Sequence, residues 1–130
     1  VKSYIPYLTL ALIGIALILL SLQRNEFDQS EWYSFQEASS LSLKEGKEIF
    51  LFISSPTCPK CNYFKSDVFS REEVMSAIKT RFIPAYVDIT KESPPLNVFL
   101  VPTFCTGYPD NLSCFQASNG DELLRILEQR

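Results

Sequence analysis

A chain of 130 residues with net charge -3 has room, once its apolar N-terminal stretch is set aside, for one domain of about 100 residues. Its twelve Lys and Arg are scattered rather than clustered, which excludes an electrostatic footprint for nucleic acid. It contains no histidine, so Ser-His and Cys-His nucleophile pairs, mixed Cys/His zinc sites and histidine-bearing copper sites are excluded too, and chemistry has to run on cysteine, carboxylates or lysine.

The first segment, "YIPYLTLALIGIALILLSL" from Tyr4 to Leu22, carries no charge. Its rise as a helix would be about 28 Å, close to the roughly 30 Å of a bilayer's hydrocarbon core. Pro6 falls in the first turn, where a missing N–H does little harm. A cleaved signal peptide is the competing reading, but "LILLSLQRN" offers no good small-x-small site. The expectation is therefore a transmembrane anchor over residues 1–22. Lys2 before it, and Arg24 offset by Glu26 and Asp28 after it, place the C-terminal part of the chain outside the cytoplasm. "QRNEFDQS", residues 23–30, reads as a polar linker, and the folded domain is expected over residues 31–130.

"EWYSFQEASSLSLKEG" spaces Trp32, Phe35, Ala38, Leu41 and Leu43 as one face of a helix, with Gly46 suited to a left-handed C-cap. "KEIFLFISS" is an apolar run of strand length, consistent with a strand buried on both faces of a parallel sheet. A second helix is expected at the cysteines of "SSPTCPKCNYF". Next, "VFSREEVMSAIKTRF" offers a capping box, Ser70 with Glu73, and Val74, Ile78 and Phe82 as the inner side of a helix. "FIPAYVDIT" is another strand. "KESPPLNVFL", with two prolines, supports at most a turn or two of helix. "VPTFCTG" and "LSCFQA" flank "YPDN", a hairpin signal, and "SNGDELLRILEQR" closes the chain as an amphipathic helix. The aromatics Phe50, Phe52, Phe64, Phe69, Phe82 and Phe99 are expected in the core.

A strand that delivers a Cys-x-x-Cys pair into a helix N-terminus makes one thiol reactive, because unpaired N–H groups and the helix dipole favour the thiolate. Pro59 suits the first helical turn, and Lys60 adds a positive charge or is simply solvated. Cys58 is then the exposed nucleophile, and Cys61, one turn on and facing inward, is the resolving thiol. A static disulfide and a metal clamp are the alternatives for this pair. For Cys105 and Cys114, a two-residue turn at Pro109 and Asp110 sets the cysteines opposite each other at a non-hydrogen-bonded position, where antiparallel strands come closest. A cross-strand structural disulfide is the expectation. Buried free thiols, a second redox pair and metal ligation are the alternatives.

With these residues in place, Cys58-Pro59-Lys60-Cys61 after "IFLFISSPT", followed by "FKSDVFSREEVMSAIKTRFIPAYVDI" and "VPTF", resembles the thioredoxin-fold thiol:disulfide oxidoreductases. Within that group the sequence is similar to the C-terminal periplasmic domain of membrane thiol:disulfide interchange proteins, over about residues 31–130. The resemblance implies an α/β thioredoxin fold, a central mixed sheet flanked by helices, here preceded by the single N-terminal transmembrane helix. It implies that Pro102 is a cis-proline facing the cysteine pair, with Thr57 and the Val101 backbone on the substrate-facing surface. It implies protein thiol and disulfide substrates, a transmembrane electron-donor protein, and no bound cofactor or metal.

Three departures accompany the resemblance. Thr57 stands where thioredoxins usually have Trp, Phe52 stands where a buried acid is usual, and the segment 91–100 is short and proline-rich. Glu48 and Asp88 are the candidate substitutes for the acid. The functional expectation is a membrane-anchored enzyme, in a bacterial periplasm or on the outer face of the cytoplasmic membrane, that reduces protein disulfides. Disulfide oxidation or isomerisation with the same residues is one alternative. A tethered, non-enzymatic module holding one structural zinc on four cysteines is the other.

Overall fold

The computed structural model describes residues 3–23 and 27–130. The first helix, α1, is Ile5–Gln23, and its side chains are described over residues 5–19. Among the described residues no helix is long and apolar enough to cross a membrane. The expected anchor over 1–22 is corrected accordingly, and the extracytoplasmic, single-pass placement that rested on it falls with it. The flanking charges Lys2, Arg24 and Glu26 lie outside the described residues.

The core is a four-stranded mixed sheet in the order β2-β1-β3-β4, made of β1 Glu48–Ser54, β2 Phe82–Asp88, β3 Thr103–Tyr108 and β4 Asn111–Phe115. β1 runs parallel to β2 and antiparallel to β3, and β3 is antiparallel to β4. Period-two alternation in "EIFLFIS" sends Ile49, Leu51 and Ile53 to one face and Phe50 and Phe52 to the other, all fully buried. The first face is covered by α2 (Phe35–Glu45), through Phe35, Ala38 and Leu41, and by Leu96 and Val98 of the irregular 91–100 segment. The second carries α3 (Pro59–Tyr63) with the turn that follows it, α4 (Glu72–Arg81) and α5 (Gly120–Glu128), packed through Cys61, Phe64, Val74, Ile78, Leu123 and Leu127.

Local chemistry sets the helix ends. Ser34 caps α2 by accepting the Glu37 N–H at 3.2 Å, and Gly46 ends it at φ 68°, a left-handed conformation that glycine adopts without Cβ strain. Asn119 caps α5 by accepting the Glu122 N–H at 2.8 Å, while the Glu122 carboxylate accepts the Ser118 N–H at 3.0 Å.

Several expectations need correction. Trp32 is not the first residue of α2. It follows a 3-10 turn, Gln29–Glu31, and packs among Phe50, Phe52 and Phe69 on the opposite face of the sheet. Between the two, Tyr33 runs along the edge of β2, donating its N–H to the Pro84 carbonyl (2.9 Å) and accepting from the Tyr86 N–H (3.0 Å). Helical spacing thus hides a chain that crosses from one face to the other. Packing also starts ahead of Glu31, because the Phe27 ring lies 5.7 Å from Trp32 and 5.4 Å from Tyr86.

The Ser70 capping box does not form. Ser70 donates its hydroxyl to the Ser66 carbonyl instead, and α4 begins after an extended Arg71 with no side-chain cap. The carbonyls at the end of the preceding helical run compete for that hydroxyl. Leu43, 76% exposed, and Phe99, 93% exposed, are not core residues.

Candidate active site

The loop 55–58 leaves the C-terminal end of β1 and is shaped by Ser55. This buried hydroxyl lies 3.1 Å from Thr57 Oγ1 and accepts the Thr57 N–H at 3.4 Å, while the Ser55 carbonyl accepts the Cys58 N–H at 3.3 Å. The sequence motifs do not single out Ser55. Its signal is nevertheless present, since a serine two residues before a backbone donor is a turn former. Cys58 is the N-cap of α3, with Pro59 as the first helical residue. Beyond Tyr63 the helix continues as a π turn, Phe64–Val68, closed by the Phe69 N–H on the Phe64 carbonyl at 2.8 Å.

Cys58, at the N-cap of α3, and Cys61, within it, are disulfide-bonded, with Cα atoms 5.2 Å apart. They differ in access: Cys58 is half-buried, whereas Cys61 is fully buried within the aromatic cluster. Cys58 Sγ accepts the Cys61 N–H at 3.1 Å, a contact that favours negative charge on that sulfur. Cys58 Sγ also lies 3.6 Å from the Val101 carbonyl oxygen, and the peptide bond from Val101 to Pro102 is cis. Pro102 is buried, and with Lys60, Leu100, Val101, Gln116 and Ala117 it lines a shallow cleft of about 110 Å³ beside the cysteine helix. Thr57, Pro59 and Lys60, on the cysteine loop and the start of α3, are exposed.

Among the described residues no carboxylate takes the place of the usual buried acid. Phe52 is stacked on Phe104 at 5.5 Å, with Phe69 at 4.9 Å and Tyr86 at 5.6 Å. Glu48 begins β1, about 20 Å of strand away from the end that carries the cysteine loop, so it does not serve. Asp88 is at the correct end, in register with Ser54. Its carboxylate is engaged by Thr90, accepting the hydroxyl at 2.6 Å and the N–H at 2.9 Å. The Thr90 hydroxyl, more than any other influence, holds that carboxyl below its ordinary value, against the effect of burial.

The other cysteines, Cys105 and Cys114, stand opposite each other in the β3–β4 ladder and are disulfide-bonded, with Cα atoms 4.0 Å apart. Cys105 is fully buried and Cys114 is exposed, so burial does not shelter the two residues equally. Cys61 belongs to the helix-covered α3–α5 side of the sheet and Cys105 to the α2 side. Four cysteines divided between two faces cannot converge on one tetrahedral zinc, which removes the structural-zinc alternative.

A mixed sheet that presents a Cys-x-x-Cys pair at a strand-to-helix junction, opposite a cis-proline, defines a thiol-disulfide oxidoreductase that acts on protein thiols and disulfides. A thioredoxin-like family model matches residues 31–110, and the chain belongs to that family. An uncharacterized protein of Archaeoglobus fulgidus is 40% identical over 95% of this chain and 97% of its own length. Human spermatogenesis-associated protein 20 is 27% identical over 83% of this chain, which spans only 17% of that protein. Among solved structures, a thioredoxin from Thermus thermophilus superposes with a TM-score of 0.62 at 24% identity, covering 75% of this chain and 84% of its own. The C-terminal domain of DsbD from Neisseria meningitidis, in its oxidised form, gives a TM-score of 0.59 at 20% identity, covering 75% of this chain and 97% of its own. At those identities the likeness is one of fold.

Proposed function

We propose that the chain reduces protein disulfides, with residues 31–130 as its catalytic domain, Cys58 as nucleophile and Cys61 as resolving thiol. The observation that carries this reading is the difference in access within one pair: a half-buried Cys58 at the helix start and a fully buried Cys61 one turn behind it. The Cys58 thiolate attacks one sulfur of a substrate disulfide, forming a mixed disulfide and releasing a substrate thiolate that takes a proton. Cys61 then loses its proton and attacks Cys58 Sγ. The second substrate thiol is released, and Cys58 and Cys61 are left as a disulfide. Two electrons and two protons have passed to the substrate, and a dithiol donor resets the pair. The Val101 backbone and Thr57 flank the substrate segment, Pro102 closes the site from the opposite side, and Pro59 and Lys60 modulate the pair.

The reducing direction is supported by how few groups beyond the start of α3 hold the Cys58 thiolate. Among the described residues the sulfur, here in the disulfide, accepts the N–H of Cys61, and the chain has no histidine to place an imidazolium beside it. Lys60 is exposed, so solvent screens its charge. A thiolate with little extra stabilisation leaves the reduced form less favoured, and such a pair gives up its electrons. Turnover of insulin disulfides by the full chain, with dithiothreitol as donor, tests the reading. Activity should be present in the wild type and lost in Cys58→Ser, and equal activity in both would refute it.

A further inference from the structure

We propose that the Cys105–Cys114 disulfide is a second thiol-exchange site, entered at Cys114 by the thiolate of a protein dithiol. A disulfide is opened by in-line attack on one of its sulfurs, so access decides which sulfur is attacked. Cys105 is fully buried on β3 among Leu51, Ala38 and their neighbours, and no thiolate reaches it in the folded chain. Cys114 is exposed on β4, the outer strand of the sheet. The pair therefore repeats the asymmetry of Cys58 and Cys61, with one accessible sulfur backed by one sheltered sulfur.

The surroundings of Cys114 provide a place for the entering chain. Leu96, Val98, Phe99, Leu100 and Phe115 line an apolar groove of about 230 Å³ that has Cys114 in its wall. Phe99 is 93% exposed, a large apolar surface that nothing in the sheet requires. The same segment continues into Val101, whose carbonyl faces Cys58, so a protein that approaches one pair meets a surface continuous with the other. An apolar stretch beside the partner's cysteine is the occupant this groove fits.

Atoms and electrons balance in the exchange. A partner thiolate attacks Cys114 Sγ, the Cys105–Cys114 bond breaks, and Cys105 departs and is protonated in its apolar setting. The partner's second thiolate attacks the partner sulfur of the mixed disulfide and releases Cys114. The partner leaves as a disulfide, and Cys105 and Cys114 have gained two electrons and two protons. β4 stays attached through its ladder to β3 and through Arg130, which donates to Thr106 and Ser113 Oγ and lies 4.4 Å over the Phe115 ring. Opening the bond thus loosens the hairpin without detaching it.

The test uses the full chain with Cys58→Ser and Cys61→Ser, so that exchange at the first pair cannot be mistaken for exchange at the second. Reduced thioredoxin from another source and, separately, dithiothreitol are the probes, and alkylation with peptide mapping is the readout. The folded chain should open at this pair with both probes. A thioredoxin lacking its resolving cysteine should be trapped on Cys114 and not on Cys105. Phe99→Asp should slow exchange with thioredoxin about tenfold, as loss of an exposed aromatic anchor would, and leave exchange with dithiothreitol within about twofold. Should the double variant not fold, peptide mapping of the wild type gives the same readout, because the two pairs lie on different peptides. Opening only in denaturant, trapping on Cys105, or equal slowing of both probes by Phe99→Asp would overturn the proposal.

Discussion

The Val101 carbonyl oxygen stands 3.6 Å from the sulfur of Cys58, joining two segments 43 residues apart into one site. The approach follows from topology. β1 ends at the cysteine loop, and its antiparallel neighbour β3 begins just after Pro102, so the two loops emerge at the same end of the sheet. A substrate chain reaching Cys58 must pass this carbonyl, while Cys61 remains sealed behind the helix.

That difference in access sets the first prediction. Cys61→Ser should accumulate mixed disulfides with protein substrates through Cys58, because the resolving thiol is gone, whereas Cys58→Ser should accumulate none through Cys61. Non-reducing electrophoresis followed by peptide mapping reads the outcome, and equal trapping by both variants would reverse the roles.

The second prediction concerns Phe52, which fills the position where a buried acid is usual. Its ring is stacked on Phe104 within a cluster that includes Trp32, Phe69 and Tyr86. Phe52→Asp should cost at least about 3 kcal/mol, combining the loss of a fully buried ring with burial of an unpaired carboxyl. Urea denaturation at neutral pH checks this, and a loss below about 1 kcal/mol would mean that the cluster accommodates an acid.

Much of this fold is legible in the sequence, for reasons that differ by residue. "EIFLFIS" declares itself because a central strand covered on both faces has to be apolar throughout. The two-residue turn at Pro109 and Asp110 sets the Cys105–Cys114 register, since strand pairing counts outward from the turn. Trp32 is misplaced by helical spacing, which reports apolar periodicity and not which face of the sheet each residue meets. Phe99 is misplaced because "KESPPLNVFL" forms no helix to carry it inward. Composition alone does not reveal that an apolar residue is left outside. Ser70 matches the capping-box pattern but finds a carbonyl nearer than the helix it would cap.

A third prediction bears on the hairpin. Replacing both Cys105 and Cys114 by Ser should lower stability by about 2 to 3 kcal/mol, the chain-entropy value for so short a loop. Insulin-reducing activity should persist wherever the variant is folded. Equilibrium unfolding and turnover measured on the same preparation decide the matter, and unchanged stability with lost turnover would make these cysteines relay thiols.

A fourth concerns acid. The Asp88 carboxyl is held low chiefly by the Thr90 hydroxyl, so its folded value lies below its unfolded one. The stabilisation is present above the ordinary carboxylate range and is lost as pH falls through the folded value. Thr90→Val removes that hydroxyl donor while leaving the backbone N–H in place. It should reduce stability near neutrality by about 1 kcal/mol and make the decline between about pH 5 and pH 3 shallower. Urea midpoints across that range provide the check, and parallel curves for the two proteins would count against the assignment.

Whether a weakly stabilised Cys58 thiolate makes this pair a reductant is decided most directly by the reduction potential of Cys58 and Cys61 in the full chain. The pair is equilibrated in glutathione buffers and read by alkylation and peptide mapping, so that Cys105 and Cys114 are scored separately. The expected value is near that of thioredoxins, about -270 mV, whereas a value near about -120 mV would show a strongly favoured thiolate and an oxidase, contradicting the reductase assignment.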